Sequence, residues 1–102
     1  MEPITFINCF EVPSGRDDEF VALWRAINQY MRGKPGYLGT RLHRSASADA
    51  RYRFVNVARW QSAEHCKAAH DDGFRLVVSQ AAWKDLRTVA AVYEIFEENT
   101  AG

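Results

Sequence analysis

The run Tyr52-Arg53-Phe54-Val55-Asn56-Val57-Ala58-Arg59-Trp60 alternates apolar and other side chains with a period of two, and so does the stretch from Ile4 to Val12. Alternation of this kind marks strands that press one face against a core, so the rest of the chain must supply the layer that covers them. Each run also carries a carboxamide on its apolar face: Asn8 among Ile4, Phe6 and Phe10, and Asn56 between Phe54 and Trp60. Burying an amide beside aromatic rings costs a few kcal/mol, on the order of 2–7, unless something bonds it. Two such positions call for a partner, and a ligand is one candidate.

The covering layer is legible downstream of each run. Pro13-Ser14-Gly15 breaks the first strand, and Ser14 is placed to cap a helix whose first turn holds Asp17, Asp18 and Glu19 against the positive end of the helix dipole. Phe20, Leu23, Trp24, Ile27, Tyr30 and Met31 recur at helical spacing as its buried stripe, which Gly33 and Pro35-Gly36 terminate. Tyr37 to Ser45 reads as a second strand, joined by the small polar segment 46–50 to a third strand at 51–60. Ser62 caps a helical segment to about residue 70, Asp71-Asp72-Gly73 interrupts it, and Phe74, Val77, Val78 and Ala81 continue it. Val89 to Glu97 supplies a fourth strand, with a frayed tail beyond.

Strand, helix, strand, strand, helix, strand is the split βαβ order of the α+β, ferredoxin-like class. Right-handed crossovers then put both helices on one face and the first and third strands side by side at the centre, with Asn8 and Asn56 as neighbours beneath the helices. The other face, with Ile7, Cys9, Val55 and Val57, would be bare in a monomer, so two sheets packing face to face in a homodimer are expected.

Size and charge narrow the classes. At 102 residues the chain reads as one domain, with its core over about 4–97. Thirteen basic and thirteen acidic side chains balance without a basic cluster, so nucleic acid is not an expected partner. No run approaches membrane-spanning length and the N-terminus has no basic start, giving the expectation of a soluble, cytoplasmic protein with no membrane partner. Cys9 and Cys66 lack a Cys-x-x-Cys pair and read as reduced structural thiols.

Phe10-Glu11-Val12-Pro13-Ser14-Gly15, the helix with Phe20 and Trp24, Lys34-Pro35-Gly36-Tyr37, Leu42-His43-Arg44 and Phe54-Val55-Asn56-Val57-Ala58-Arg59-Trp60 together resemble the antibiotic biosynthesis monooxygenase family, over about residues 4–97. The resemblance implies a small dimeric α+β barrel. The best understood members are cofactor-independent oxygenases that convert anthrones to anthraquinones, with a first-strand Asn and a third-strand Asn-x-x-x-Trp lining the pocket. It therefore implies Asn8, Asn56 and Trp60 as catalytic residues, with Phe6, Phe10, Trp24, Phe54 and Phe74 as substrate-binding walls. The implied partners are a small aromatic substrate and dioxygen, with no cofactor. Some members also carry a Tyr and an Arg along the second helix; here Cys66 falls near the former, and Arg75 is an approximate counterpart of the latter. Haem-degrading relatives place a Trp and an iron-binding His ten residues apart within that helical region. No Trp lies between 61 and 82, and Trp60 ends a strand, so its spacing to His70 does not reproduce that pair.

The chemistry implied is simple. A deprotonated anthrone or hydroquinone is electron-rich enough to give an electron to dioxygen, so the protein's task is to make the anion. Amide donors from Asn8 and Asn56 would act as an oxyanion hole, and Trp60 would stack on the ring and donate its indole N–H. No residue identifies itself as the base; His43, beside Arg41 and Arg44, is a weak candidate. His65, Cys66 and His70 lack a third ligand on one face, so no metal site is expected. Trp83 reads as packing. The alternatives are a non-catalytic small-molecule-binding or stress-response domain on the same fold, and a haem-binding relative.

Overall fold

The computed structural model describes residues 2–79 and 81–102. The elements run β1 (Ile4–Glu11), α1 (Asp17–Met31), β2 (Tyr37–Arg44), β3 (Phe54–Trp60), α2 (Ala63–Ala69), α3 (Asp72–Val78), a 3-10 turn at Ala81–Trp83, and β4 (Arg87–Tyr93). The strands form one sheet in the order β2-β3-β1-β4, antiparallel throughout. This is the ferredoxin-like α+β arrangement, with β1 and β3 central. Asn8 lies directly opposite Asn56 in the ladder between them.

The helices pack on the face carrying Phe6, Asn8, Phe10, Phe54, Asn56, Ala58 and Trp60, as the alternation requires. Two clusters hold this layer. Met31 of α1, Ala58 and Trp60 of β3 and Cys66 and Ala69 of α2 form one; Phe10, Phe20, Phe54 and Leu86 form the other. Phe20 is wholly buried, its ring stacked on Phe54 at 4.6 Å between centroids and tilted on Phe10 at 4.7 Å. Burying these rings stabilises each by roughly 1.5–3 kcal/mol.

Several boundaries differ from the sequence reading, each for a local reason. Ser14 does not cap α1: Pro13-Ser14-Gly15 forms a turn closed by Arg16 N–H donating to the Pro13 carbonyl at 3.1 Å, with Gly15 at φ 83°. The helix then starts after Arg16, which makes no side-chain cap. The third strand begins at Phe54 rather than 51, because the Arg53 guanidinium is drawn to Asp17 at 2.9 Å and to the Ser45 carbonyl at 3.0 Å, shaping the hairpin instead of extending the ladder. The last strand is Arg87–Tyr93, not 89–97: its pairing follows β1, which runs out at Thr5 opposite Tyr93. Ser62 does cap α2, accepting from His65 N–H at 3.1 Å. Asp71 caps α3 through Phe74 N–H at 3.0 Å, so the interruption at Asp71-Asp72-Gly73 is a helix restart.

No helix among the described residues is long and apolar enough to cross a membrane. Cys9 and Cys66 are free thiols.

Candidate active site

Between the sheet and the helices lies a cavity of about 390 Å³, within the range that holds a small organic ligand. Its floor is built by inward residues of all four strands, Phe6, Asn8 and Phe10 of β1, Tyr37 and Thr40 of β2, Asn56, Ala58 and Trp60 of β3, and Thr88 and Ala90 of β4. Its roof comes from Trp24, Ile27, Asn28 and Met31 on one stripe of α1 and from His70, Phe74 and Val78 of the α2–α3 region. Ala58, Asn56 and Trp60 are buried, whereas Thr88 and Ala90 are exposed, so the chamber is closed at β3 and opens toward β4.

The polar groups inside are few and differ in how they are satisfied. Thr40, inward on β2, donates its hydroxyl to the Asn56 carboxamide oxygen, leaving the Asn56 amide hydrogens for a guest. The carboxamide oxygen of Asn8 and the indole N–H of Trp60 are both buried with no hydrogen-bond partner among the described residues. Such orphans are rare in folded proteins and cost about 1–3 kcal/mol each, which makes the cavity a candidate site for an occupant that bonds them. Trp60 also packs edge-on against Tyr37, 5.5 Å between centroids. The Tyr37 hydroxyl donates to Asn28 Oδ1 at 3.0 Å, and burial pushes its pKa up, so the phenol holds its proton.

His70 closes α2. Its Nδ1 lies 2.7 Å from the Cys66 carbonyl oxygen and 4.0 Å from the Cys66 thiol, and its ring sits 4.9 Å from Phe6 and 4.7 Å from Phe74 between centroids.

Of the residues singled out by sequence, Asn8, Asn56, Trp60, Phe6, Phe10, Trp24 and Phe74 line this one cavity. Phe54 does not: although inward on β3, it is sealed beneath Phe20 in the core cluster, so it is a packing residue and not a wall. Trp83 packs on Phe10 and Phe20 and also reaches the cavity. Arg75 is exposed and paired with Asp72 at 2.6 Å, away from the chamber. Cys66 is buried in the core, with burial pushing its thiol pKa up. Among the described residues no three of His, Cys, Asp and Glu come together as metal ligands. Thr40 and Asn28 were missed by the sequence reading, which weighed His70 only as a metal or haem ligand and not as a cavity wall. Thr40 had a usable signal, since it falls opposite Ala58 once β2 and β3 are paired.

A ferredoxin-like sheet with an aromatic-walled cavity between sheet and helices defines a class of small-molecule-handling α+β domains. The chain belongs to the antibiotic biosynthesis monooxygenase family, whose sequence profile matches residues 3–73. Among solved structures it resembles a candidate monooxygenase of Shewanella loihica PV-4, with 33% identity over 95% of this chain and 97% of that one and a TM-score of 0.80. SnoaB, a cofactor-independent oxygenase from Streptomyces nogalater, shares the fold at 22% identity, covering 96% of this chain and 97% of its own, with a TM-score of 0.79. The haem-degrading protein Rv3592 of Mycobacterium tuberculosis also shares it, at 22% identity over 96% and 99% of the two chains and a TM-score of 0.67. No curated protein sequence matches the chain.

Proposed function

We propose that the protein is a cofactor-independent monooxygenase that oxidises a phenol- or anthrone-type aromatic to a quinone with dioxygen. The observation that carries this reading is the pair of buried, unpartnered groups in the cavity, the Asn8 carboxamide oxygen and the Trp60 indole N–H. One accepts and the other donates, which suits an aromatic bearing both a hydroxyl and a carbonyl. The Asn56 amide, oriented by Thr40, adds a second donor where negative charge would gather on the substrate oxygen. The apolar walls keep water from competing for that oxygen. Electron transfer from the anion to dioxygen, followed by radical recombination, gives a hydroperoxide that loses water to form the quinone.

The reading includes a homodimer. Ile7, Cys9, Val55 and Val57 lie on the sheet face away from the helices, and on the same face Val89 and Tyr93 are 56% and 51% exposed. A second copy packed on this face would cover it.

A metal-free, flavin-free preparation supplied with dithranol should consume dioxygen and release the quinone, and Asn56→Ala should lower that rate at least tenfold. Stoichiometric binding without oxygen uptake would favour a binding module instead. Haem binding in the same cavity is a second reading, favoured by one observation, the His70 ring on the cavity wall. A Soret shift on titration with haemin, followed by its decay with a reductant, would support it.

A further inference from the structure

We infer that His70 is the base that takes the substrate's proton, an assignment that rests on the oxygenase reading above. A carbonyl oxygen only accepts, so the 2.7 Å contact to Cys66 requires the hydrogen to sit on His70 Nδ1. In the neutral ring the lone pair is then on Nε2, and no described residue bonds that nitrogen. The ring is fixed between Phe6 and Phe74 on the cavity wall, and it stays close to the site's polar floor: Phe6 and Asn8 are two residues apart on one strand face, about 7 Å along β1.

Elimination reaches the same residue. Among the described residues lining the cavity, only Tyr37 and His70 carry ionisable side chains. The Tyr37 hydroxyl is committed to Asn28 and holds its proton, so it has no lone pair of the required basicity to offer. His43 lies on β2 opposite Val55, on the sheet face away from the cavity, with Nδ1 3.3 Å from the Val55 carbonyl.

The arrangement separates two tasks across the guest. The floor holds the carbonyl oxygen through the Asn56 amide and Trp60 indole, while the roof presents Nε2 to the acidic C–H or O–H. Nε2 takes the proton, the bonding pair moves into the ring system, and the charge collects on the oxygen bonded by the floor. Dioxygen then accepts one electron, and the two radicals join to form a C–O bond. The peroxide anion recovers the proton from Nε2, and loss of water leaves the quinone: one dioxygen consumed, one water released, and the imidazole neutral again.

The test uses the full-length protein, dithranol as substrate and 1,8-dihydroxyanthraquinone as a binding probe. His70→Gln and His70→Ala should lower kcat roughly 10²–10⁴-fold. The dissociation constant for the quinone should stay within threefold, because the floor is intact. Added imidazole should restore at least a tenth of the lost rate in His70→Ala, a recovery that a merely structural role would not give. Circular dichroism and quinone binding identify a variant that has not folded, in which case His70→Asn serves for the same comparison. An active wild type with an equally active His70→Gln, or a loss confined to KM, would overturn the base assignment alone. A wild type that takes up no oxygen would instead overturn the oxygenase reading, and the base assignment with it.

Discussion

Asn8 and Asn56 face one another across the β1–β3 ladder, but their carboxamide oxygens are in opposite states: that of Asn56 accepts from Thr40, and that of Asn8 accepts from no described residue. Two identical side chains at equivalent places in adjacent strands are thereby given different work. Asn56 has its oxygen tied to Thr40 and its amide hydrogens left free in the cavity, while the Asn8 oxygen is bonded by no described residue.

Replacing Asn8 should therefore trade stability against binding. Asn8→Leu removes a buried acceptor without a partner and should raise the unfolding free energy by about 1 kcal/mol. The same change should weaken binding of a dihydroxyanthraquinone about tenfold. Denaturant unfolding and fluorescence titration of one preparation check both halves, and a destabilised variant would contradict the first.

Thr40→Val keeps the shape of the side chain and deletes its hydroxyl. The Asn56 oxygen then loses its donor, at a cost of about 1–3 kcal/mol, and the amide is free to turn. Stability and oxygen uptake should fall together. In the Asn56→Leu background the Thr40→Val cost should largely vanish, and a double-mutant cycle by urea unfolding measures that coupling.

Asp71 ties three groups together. It accepts from the Tyr30 hydroxyl at 2.5 Å, from Lys34 Nζ at 2.9 Å and from Phe74 N–H at 3.0 Å, binding the end of α1 to the start of α3. The Tyr30 hydrogen bond first, then those from Lys34 and Phe74, hold its pKa well below the usual carboxylate range. A carboxylate depressed on folding contributes stability that is full above its unfolded pKa, near 3.9, and drains away as pH falls below it. Wild type should thus melt above Asp71→Asn at neutral pH, and the gap should narrow below about pH 4. A gap that is constant with pH in thermal melts would count against this account.

Val89→Lys places a charge on the exposed sheet face, outside the cavity. If two copies meet there, the light-scattering mass should fall from twice to once the chain mass of 11.7 kDa, with the far-ultraviolet spectrum unchanged.

The sequence made the sheet legible because period-two alternation fixes which face a side chain takes once a strand is assigned. That is why Asn8, Asn56 and Trp60 meet in one cavity. Phe54 shows the limit of the same rule: inward direction is set by the strand, but whether an inward ring meets a ligand or another ring depends on where Phe20 of α1 lands. His70 was out of reach for a different reason. It leaves α2 at φ −84° and ψ 61°, and at such a junction neither the helical nor the strand period says where a side chain points.

The anchor of that histidine ring is main chain. A peptide carbonyl is present whatever side chain occupies position 66, so no neighbour has to change in step when position 70 mutates. The scaffold is accordingly modular at this point. Descendants could exchange the imidazole for an inert group and retire the reaction while keeping the chamber, and a catalyst and a carrier could then differ by a single codon.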